Sequence, residues 1–204
     1  MSHIPRTVIR IGPQDHGRRM NLDEFYLAEA LEGRLYELSR GVVSGVDVPG
    51  PRHLAQVIAI RRQFAAYDLA HPGRIYGVAG GSDCKIPIAG VESERHPDLA
   101  VYKTPPPQEQ DVWATYIPEI VIEVISPESE HRDYVEKREE YLLFGVREYW
   151  VVDAAKQEVL VLRRSRGQWV ERRLRPPEVY RTRLLPGFQF DCGRVFQAAQ
   201  ATRS

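Results

Sequence analysis

The chain has 204 residues with 28 basic and 28 acidic side chains, so its formal net charge at pH 7 is zero. A uniformly basic surface, which would hold nucleic acid or an anionic membrane without specificity, is therefore excluded. The hydrophobic fraction of 43% and the charged fraction of 27% are typical of globular proteins, which excludes disorder over the whole length. The length fits one domain with a sizeable core.

The cysteines and the N-terminal segment indicate where the protein works. Cys84 and Cys192 lie far apart in the sequence and no C-x-x-C pair occurs, which argues against a cysteine zinc site and a disulfide scaffold. Residues 1–20 have no apolar run of the kind found in signal peptides, and no later stretch is apolar enough to span a membrane. We expect a soluble, cytoplasmic protein in which residues 1–20 are a flexible leader and residues 21–204 form the domain.

The order of the predicted elements indicates the fold class. Asn21 and Glu24 have the spacing of a capping box, which predicts the start of the first helix. Strands then fill the middle of the chain and a further helix interrupts them, which predicts an α/β fold with a mixed β-sheet flanked by helices. In chain order the predicted elements are helix 22–31, a hairpin turning at Gly41, a helix from Pro51 to His71, strands 75–78, 85–88, 98–102 and 119–125, helix 131–144, and strands 148–152, 158–162 and 169–174.

Glu123 lies in the middle of the apolar strand 119–125, with Val121 and Ile125 on its own face. An unpaired buried charge costs on the order of several kcal/mol, so the carboxylate needs a cation beside it. That cation is either a metal ion at a functional site or one lysine or arginine in a structural ion pair. The strand alone leaves both interpretations open.

A second carboxylate, Asp98, follows Pro97 at the start of another apolar strand. By itself, an aspartate at a strand junction is usually a backbone cap. Together with Glu123 on the next strand, it supplies two oxygen ligands of the kind that Mg²⁺ uses, with water and substrate phosphate as the remaining ligands. The two residues predict, in outline, a centre that cleaves phosphodiesters.

Several motifs follow one another along the chain: Glu32 to Leu38, Pro97-Asp98, Ile122 to Pro127, Lys137, Tyr141, Gly145-Val146 and Glu148 to Asp153. Together they resemble the Uma2 family of endonucleases, which have the restriction endonuclease-like PD-(D/E)xK fold. The resemblance covers residues 27–163. It implies that Asp98 and Glu123 bind Mg²⁺ or Mn²⁺, that Glu37 is an accessory acid, and that the substrate is nucleic acid, with DNA favoured. A homodimer is plausible by analogy, because two cuts need two sites.

The chain departs from the usual signature at the lysine. In the common D/E-x-K pattern a lysine follows the acid by two residues, and that position holds Ile125 here. The family pattern has a lysine on the following helix instead, which matches Lys137, and the resemblance implies that Lys137 assists the attack on the phosphate. The alternative is that Lys137 belongs to a solvated helix face, since four acidic residues surround it in the sequence.

The predicted function is that of a metal-dependent DNA endonuclease. Two alternatives remain open: a non-catalytic nucleic-acid-binding or regulatory module, which the missing lysine at Ile125 favours, and a structural dimerisation domain in which Glu123 is only a buried ion pair. The histidines lack the spacing of metal ligands and are interpreted as surface or turn residues. We interpret three aromatic residues as core or dimer-interface residues rather than base-stacking platforms, namely Tyr149, Trp150 and Trp169.

The zero net charge hides an uneven distribution. Residues 101–150 contain 5 basic and 11 acidic side chains, whereas residues 151–204 contain 11 basic and 5 acidic ones. The arginine-rich segment could position a phosphate backbone, with salt-dependent affinity, or its arginines could pair with the acidic helix in the folded protein. Most of the basic excess comes from Arg163, Arg164, Arg166, Arg172, Arg173, Arg175, Arg181 and Arg183.

Overall fold

The computed structural model describes residues 8–127 and 129–202, and the contacts divide the chain into two compact units. The first unit comprises residues up to 48 together with 87–95, and the second comprises residues 49–86 and those from 96 onward. The strands are β1 (Arg10–Ile11), β2 (Glu29–Ala30), β3 (Tyr36–Ser39), β4 (Val42–Gly45), β5 (Gly77–Ala79), β6 (Ile86–Ile88), β7 (Ser93–Arg95), β8 (Leu99–Tyr102), β9 (Ile120–Val124), β10 (Glu148–Asp153), β11 (Glu158–Ser165), β12 (Gln168–Leu174), β13 (Val179–Tyr180) and β14 (Phe190–Asp191). The helices are α1 (Leu22–Tyr26), α2 (Pro51–Ala70), α3 (Val112–Thr115), α4 (Lys137–Phe144) and α5 (Cys192–Ala201).

The first unit contains a four-stranded sheet in the order β4-β3-β7-β6. The hairpin predicted around Gly41 is confirmed: β3 and β4 pair antiparallel, and the two turn residues, Arg40 and Gly41, have positive φ angles of 50° and 76°. Such angles suit the tight turns that join hairpin strands, and glycine adopts them without strain. The core of this unit consists of Ile11, Met20, Phe25, Tyr36, Leu38 and Val43.

The capping box of α1 is confirmed. The Asn21 side chain accepts a hydrogen bond from the Glu24 amide at 2.8 Å, and the Glu24 carboxylate accepts one from the Asn21 amide at 3.0 Å. The helix ends earlier than predicted, at Tyr26, because the next residues extend to pair as β2 with β1. The first seven residues of the expected leader lie outside the described residues, and the domain boundary at residue 21 stays a prediction.

The second unit contains a six-stranded sheet in the order β12-β11-β10-β9-β8-β5. Its central strands β9 and β10 are parallel, while every other neighbouring pair is antiparallel. Parallel neighbours need a crossover connection, and α4 lies in the segment that joins β9 to β10. The predicted mixed sheet is therefore confirmed.

Helices cover both faces of this sheet. On one face, Ile60 and Phe64 of α2 pack in the same core cluster as Trp150 of β10, and residues of α5 join them. On the other face, Tyr141 of α4 packs edge-on against Tyr149 of β10, with 5.0 Å between the ring centroids. All five side chains are fully buried, and the burial of each stabilises the fold by about 1.5–3 kcal/mol. The α/β class is confirmed, and Tyr149 and Trp150 are core residues as predicted.

The sequence analysis did not predict the strands β1, β2, β7, β13 and β14 or the helices α3 and α5. The helix α5 begins after Asp191, whose side chain accepts a hydrogen bond from the Arg194 amide at 3.2 Å. Among the described residues, none of the helices is both long and apolar enough to cross a membrane. Cys84 and Cys192 are buried and unbridged.

Candidate active site

Asp98 directly precedes β8, and two contacts hold one of its carboxylate oxygens. Oδ2 accepts a hydrogen bond from the Val124 amide of β9 at 2.7 Å and lies 3.0 Å from Nε2 of His53 in α2. The other oxygen, Oδ1, has no hydrogen-bond partner within the described part of the chain. The side chain is 22% exposed, so Oδ1 is available to an external ligand.

The Gly80-Gly81 turn supports the backbone on which Asp98 lies. The Gly81 amide donates a hydrogen bond to the Pro97 carbonyl at 2.8 Å. A Cβ atom at position 80 would lie 2.1 Å from the Asp98 carbonyl oxygen, which is too close for any side chain. Gly80 is therefore required by the close approach of two backbones at this point.

Glu123 lies on β9 beside Asp98, because the antiparallel register pairs Leu99 with Ile122. Its side chain is only 4% exposed. Oε1 accepts a hydrogen bond from the Tyr141 hydroxyl at 2.6 Å, and Oε2 lies 3.5 Å from the Asp98 amide. Burial raises the pKa of Glu123; the charge of Lys137 opposes this rise and that of Asp98 adds to it.

Lys137 is the first residue of α4, and its ammonium group lies between two buried acids. Nζ is 2.9 Å from Oε1 of Glu123 and 3.1 Å from Oδ1 of Asp133. Asp133 belongs to a single π-helical turn, Arg132–Glu136, a feature that is frequent at functional sites. Since Lys137 is 3% exposed, the interpretation of this lysine as part of a solvated helix face is wrong.

His53 lies in the candidate site, where the sequence analysis did not place it, and its interpretation as a surface or turn histidine is wrong. It lies in α2 with its side chain 15% exposed and in contact with Asp98. Burial acts to lower the pKa of His53, but the hydrogen bond to Asp98 and the charges of Asp98 and Glu123 outweigh it, so the pKa is raised. The sequence contained a signal for the burial of His53, because His53 precedes the buried Ile60 by two helical turns and therefore lies on the same face of α2.

Glu37 belongs to the first unit, whereas the three other predicted site residues belong to the second. Its carboxylate is buried and accepts a hydrogen bond from Nη1 of Arg95 at 3.3 Å. Arg95 is itself fully buried, so this is an ion pair removed from solvent. The role of Glu37 as an accessory acid stays a prediction.

The donor set at Asp98 and Glu123 fits a hard divalent cation. Across the described residues, no three or more histidine, cysteine, aspartate or glutamate side chains form a group that could hold a metal ion. Mg²⁺ does not need such a group, because it keeps several waters and commonly binds one or two carboxylates plus substrate phosphates. Asp98 Oδ1 has no hydrogen-bond partner among the described residues, and Glu123 Oε2 has only the 3.5 Å contact, so each carboxylate retains an oxygen for a ligand.

The fold of the chain is that of the restriction endonuclease-like nucleases. It matches the solved structure of a "putative nuclease belonging to DUF820" from Anabaena variabilis ATCC 29413, with a TM-score of 0.71 and 18% sequence identity over 88% of this chain and 99% of that one. At this identity the match shows a shared fold. A sequence model of the Uma2 family, described as "Putative restriction endonuclease", matches residues 22–193, and the chain therefore belongs to the Uma2 family. No curated protein matches the chain.

Proposed function

We propose that the protein is an endonuclease that hydrolyses phosphodiester bonds in DNA with the help of Mg²⁺ or Mn²⁺. The observation that carries the proposal is the position of Lys137, whose ammonium lies 2.9 Å from Glu123. The common signature has a lysine at the position of Ile125, and α4 brings an equivalent cation to the same acid from a different element. Membership of the Uma2 family supports the general class, a nuclease.

In this proposal Asp98 and Glu123 hold the metal ion. The bound ion would lower the pKa of a water molecule and polarise the phosphate. His53 and the Val124 amide hold Oδ2 of Asp98, so Oδ1 faces the ligand. Tyr141 fixes Oε1 of Glu123 by its hydrogen bond and leaves Oε2 for the ligand.

Lys137 is the catalytic cation of the proposal. Its ammonium forms ion pairs with Glu123 and Asp133. In the proposal it also donates to the attacking water or to a phosphate oxygen and offsets the negative charge that develops there. Glu37 is retained as the accessory acid on the strength of the family resemblance.

Three further parts of the proposal concern the substrate, the location in the cell and the assembly of the protein. DNA is the proposed substrate, the cytoplasm is the proposed location, and a homodimer is the proposed assembly for cutting both strands. The buried, unbridged cysteines agree with a reducing compartment.

One observation favours a second candidate function, a structural module without catalysis. Lys137 contacts two buried acids, Glu123 and Asp133, and a cluster of this kind could serve only to connect α4 to the sheet. In that case Glu123 would be a buried ion pair and the protein would bind neither metal nor substrate at this place.

Relaxation of supercoiled plasmid DNA distinguishes the two candidates. The wild type should cleave with Mg²⁺ or Mn²⁺ and fail to cleave in excess EDTA, and Asp98→Asn should abolish cleavage while the protein stays folded. The control Asp68→Asn removes an exposed aspartate of α2 and should cleave like the wild type. Cleavage by Asp98→Asn at the wild-type rate would refute the assignment.

A thermal melting titration tests metal binding without relying on cleavage. A metal ion that binds only the folded protein raises its melting temperature, and the rise increases with metal concentration. The wild type should show this rise and Asp98→Asn should not. Equal shifts in both proteins would place the metal elsewhere.

A further inference from the structure

A cavity of about 340 Å³ lies where β10 begins, and four arginines line it. Arg147 precedes β10, Arg163 and Arg164 lie on β11, and Arg183 follows β13. Arg163 pairs with Glu148 across the two strands, and the Arg164 amide donates a hydrogen bond to the Arg147 carbonyl at 2.8 Å. The strand register therefore brings arginines that are distant in sequence into one cavity.

The positive charge of this cavity is not neutralised by ion pairs. In the part of the chain that the structure describes, no carboxylate lies within 4.0 Å of a charged nitrogen of any of these four arginines. Arg173 and Arg175 differ from the arginines of the cavity, because both form ion pairs with Glu158. Glu158 lies on β11, so this pairing is not the expected one with the acidic helix, and among the described residues the cavity arginines have no carboxylate partner.

Glu148 is the acid in the cavity lining, and other groups already satisfy its carboxylate. It accepts hydrogen bonds from Trp150 Nε1 at 2.9 Å, from the Thr182 hydroxyl at 2.8 Å and from the Tyr180 hydroxyl at 3.1 Å. The side chain is buried, so it faces these donors rather than the solvent. Its one charge leaves the lining with a net positive charge.

A second groove of about 460 Å³ adjoins the first and shares two of its arginines, Arg163 and Arg183. It adds Arg172 and Arg181, both exposed, and one acid, Glu171, which pairs with Arg138 and lies 4.0 Å from Arg173. Arg181 contacts the neutral side chain of Gln189, and Arg172 lies 3.4 Å from Glu178 in a pair that is half exposed. Because the two openings share Arg163 and Arg183, we treat them as one surface, which we call the arginine groove, defined by residues 147, 163, 164, 172, 181 and 183.

The arginine groove is separate from the candidate active site. Glu148 is level with Ile120 in the sheet, whereas Glu123 is level with Val151, so the two lie three residues apart along the strands. At a rise of about 3.3 Å per residue this is roughly 10 Å. The groove is at the end where β9 and β10 begin, and the candidate site is toward the end where they finish.

We propose that the arginine groove binds the phosphate backbone of a nucleic acid strand away from the point of cleavage. The identity of the ligand as nucleic acid rests on the proposed function. Guanidinium groups bind phosphate oxygens through two parallel hydrogen bonds, and six of them spread over two adjoining openings fit several phosphates better than one small anion. Binding of this kind is independent of sequence and weakens with salt.

The test measures the binding of a short fluorescent DNA duplex in EDTA, where no metal-dependent cleavage occurs. The groove variant is Arg163→Gln/Arg183→Gln. The control is Arg175→Gln/Arg194→Gln, which removes the same charge at two paired arginines outside the groove. The groove variant should bind about tenfold more weakly for each arginine lost, and the slope of log affinity against log salt should decrease by about two. The control should bind close to the wild type.

Two results would overturn the proposal: equal binding by all three proteins, or saturation of the groove by inorganic phosphate in a protein that does not bind the duplex. The second result would identify a site for a small anion. Cleavage assays on the wild type keep this test apart from that of the proposed function. If the protein binds DNA through the groove but never cleaves it, the inference stands and the proposed activity is refuted. If the wild type cleaves DNA and the groove variant binds DNA as tightly as the wild type, the proposed activity stands and the inference is refuted.

Discussion

Two buried glutamates on neighbouring parallel strands of the second unit have different surroundings. Glu148 on β10 is 1% exposed, and Glu123 on β9 is 3% exposed. Burial raises the pKa of both. Glu148 accepts hydrogen bonds from three neutral groups, whereas Glu123 faces the ammonium of Lys137 and the neighbouring carboxylate of Asp98.

The difference shows how to separate a structural carboxylate from a candidate catalytic one. Three neutral donors already form hydrogen bonds with the Glu148 carboxylate, so this carboxylate needs no further ligand. Glu123 keeps one oxygen almost free beside a second carboxylate, and two negative charges so close together favour a cation between them. Burial alone does not distinguish the two residues; the identity of their partners does.

The largest expected effect is on cleavage, and it compares the two glutamates directly. Glu123→Gln should lower the rate of metal-dependent cleavage by about 10²–10³-fold or more, because the variant loses a charged metal ligand. Glu148→Gln should cleave close to the wild-type rate, measured at a temperature where both variants are folded. Equal losses in the two variants would mean that the comparison reports stability rather than chemistry.

The next effect is on stability, and it concerns the cation beside Glu123. Lys137→Ala should lower the free energy of unfolding by about 3–5 kcal/mol, because Glu123 and Asp133 would stay buried without a counter-charge. The control is Arg172→Ala, which removes a half-exposed arginine from its pair with the half-exposed Glu178 and should cost about 1 kcal/mol or less. Urea unfolding measures both, and similar losses would contradict the buried ion cluster.

A smaller effect is expected at His53, which holds Oδ2 of Asp98. His53→Ala should raise the metal concentration needed for half-maximal cleavage by about 10–100-fold, as is typical when a group that orients a metal ligand is lost. His53→Gln, which can still donate a hydrogen bond, should recover part of the loss. His71→Ala, at the other end of α2, serves as the control. An unchanged metal requirement in His53→Ala would remove this histidine from the site.

The smallest expected effect is the pH dependence of stability at Glu148. Because burial raises its pKa above the ordinary value of 4.5, the folded state binds the proton more tightly than the unfolded state. The stability gained from this group is fully present below about pH 4.5 and is lost as pH rises through the raised pKa. The stability difference between the wild type and Glu148→Gln should therefore decrease as pH increases, as measured by urea unfolding. A difference that grows with pH would show that the three donors and the charge of Arg163 together outweigh burial.

Local signals in the sequence predicted much of the fold. The capping box at Asn21 and the turn at Gly41 depend only on near neighbours, and both are confirmed. The end of α1 could not be predicted, because the strand β1 competes for the residues after Tyr26. The helix α5 had a signal, since the side chain of Asp191 caps it and Val195 and Phe196 lie on its buried face.

The candidate site was only partly readable from the sequence. The apolar surroundings of Glu123 and the position of Asp98 at a strand start pointed to these two residues. His53 comes from a helix 45 residues earlier in the chain, and its contact with Asp98 depends on how α2 packs on the sheet. Similarly, the arginine groove depends on strand register, which brings Arg147 and Arg183 together although composition shows only that the segment is basic.

The central claim is that Asp98 and Glu123 bind a divalent cation, and the most direct measurement is an anomalous difference map from crystals soaked in Mn²⁺. We predict a peak bonded to Oδ1 of Asp98 and Oε2 of Glu123 in the wild type, and no such peak in Glu123→Gln. A map of the soaked wild-type crystals without a peak at these oxygens would contradict the account and leave Glu123 and Lys137 as a structural ion pair.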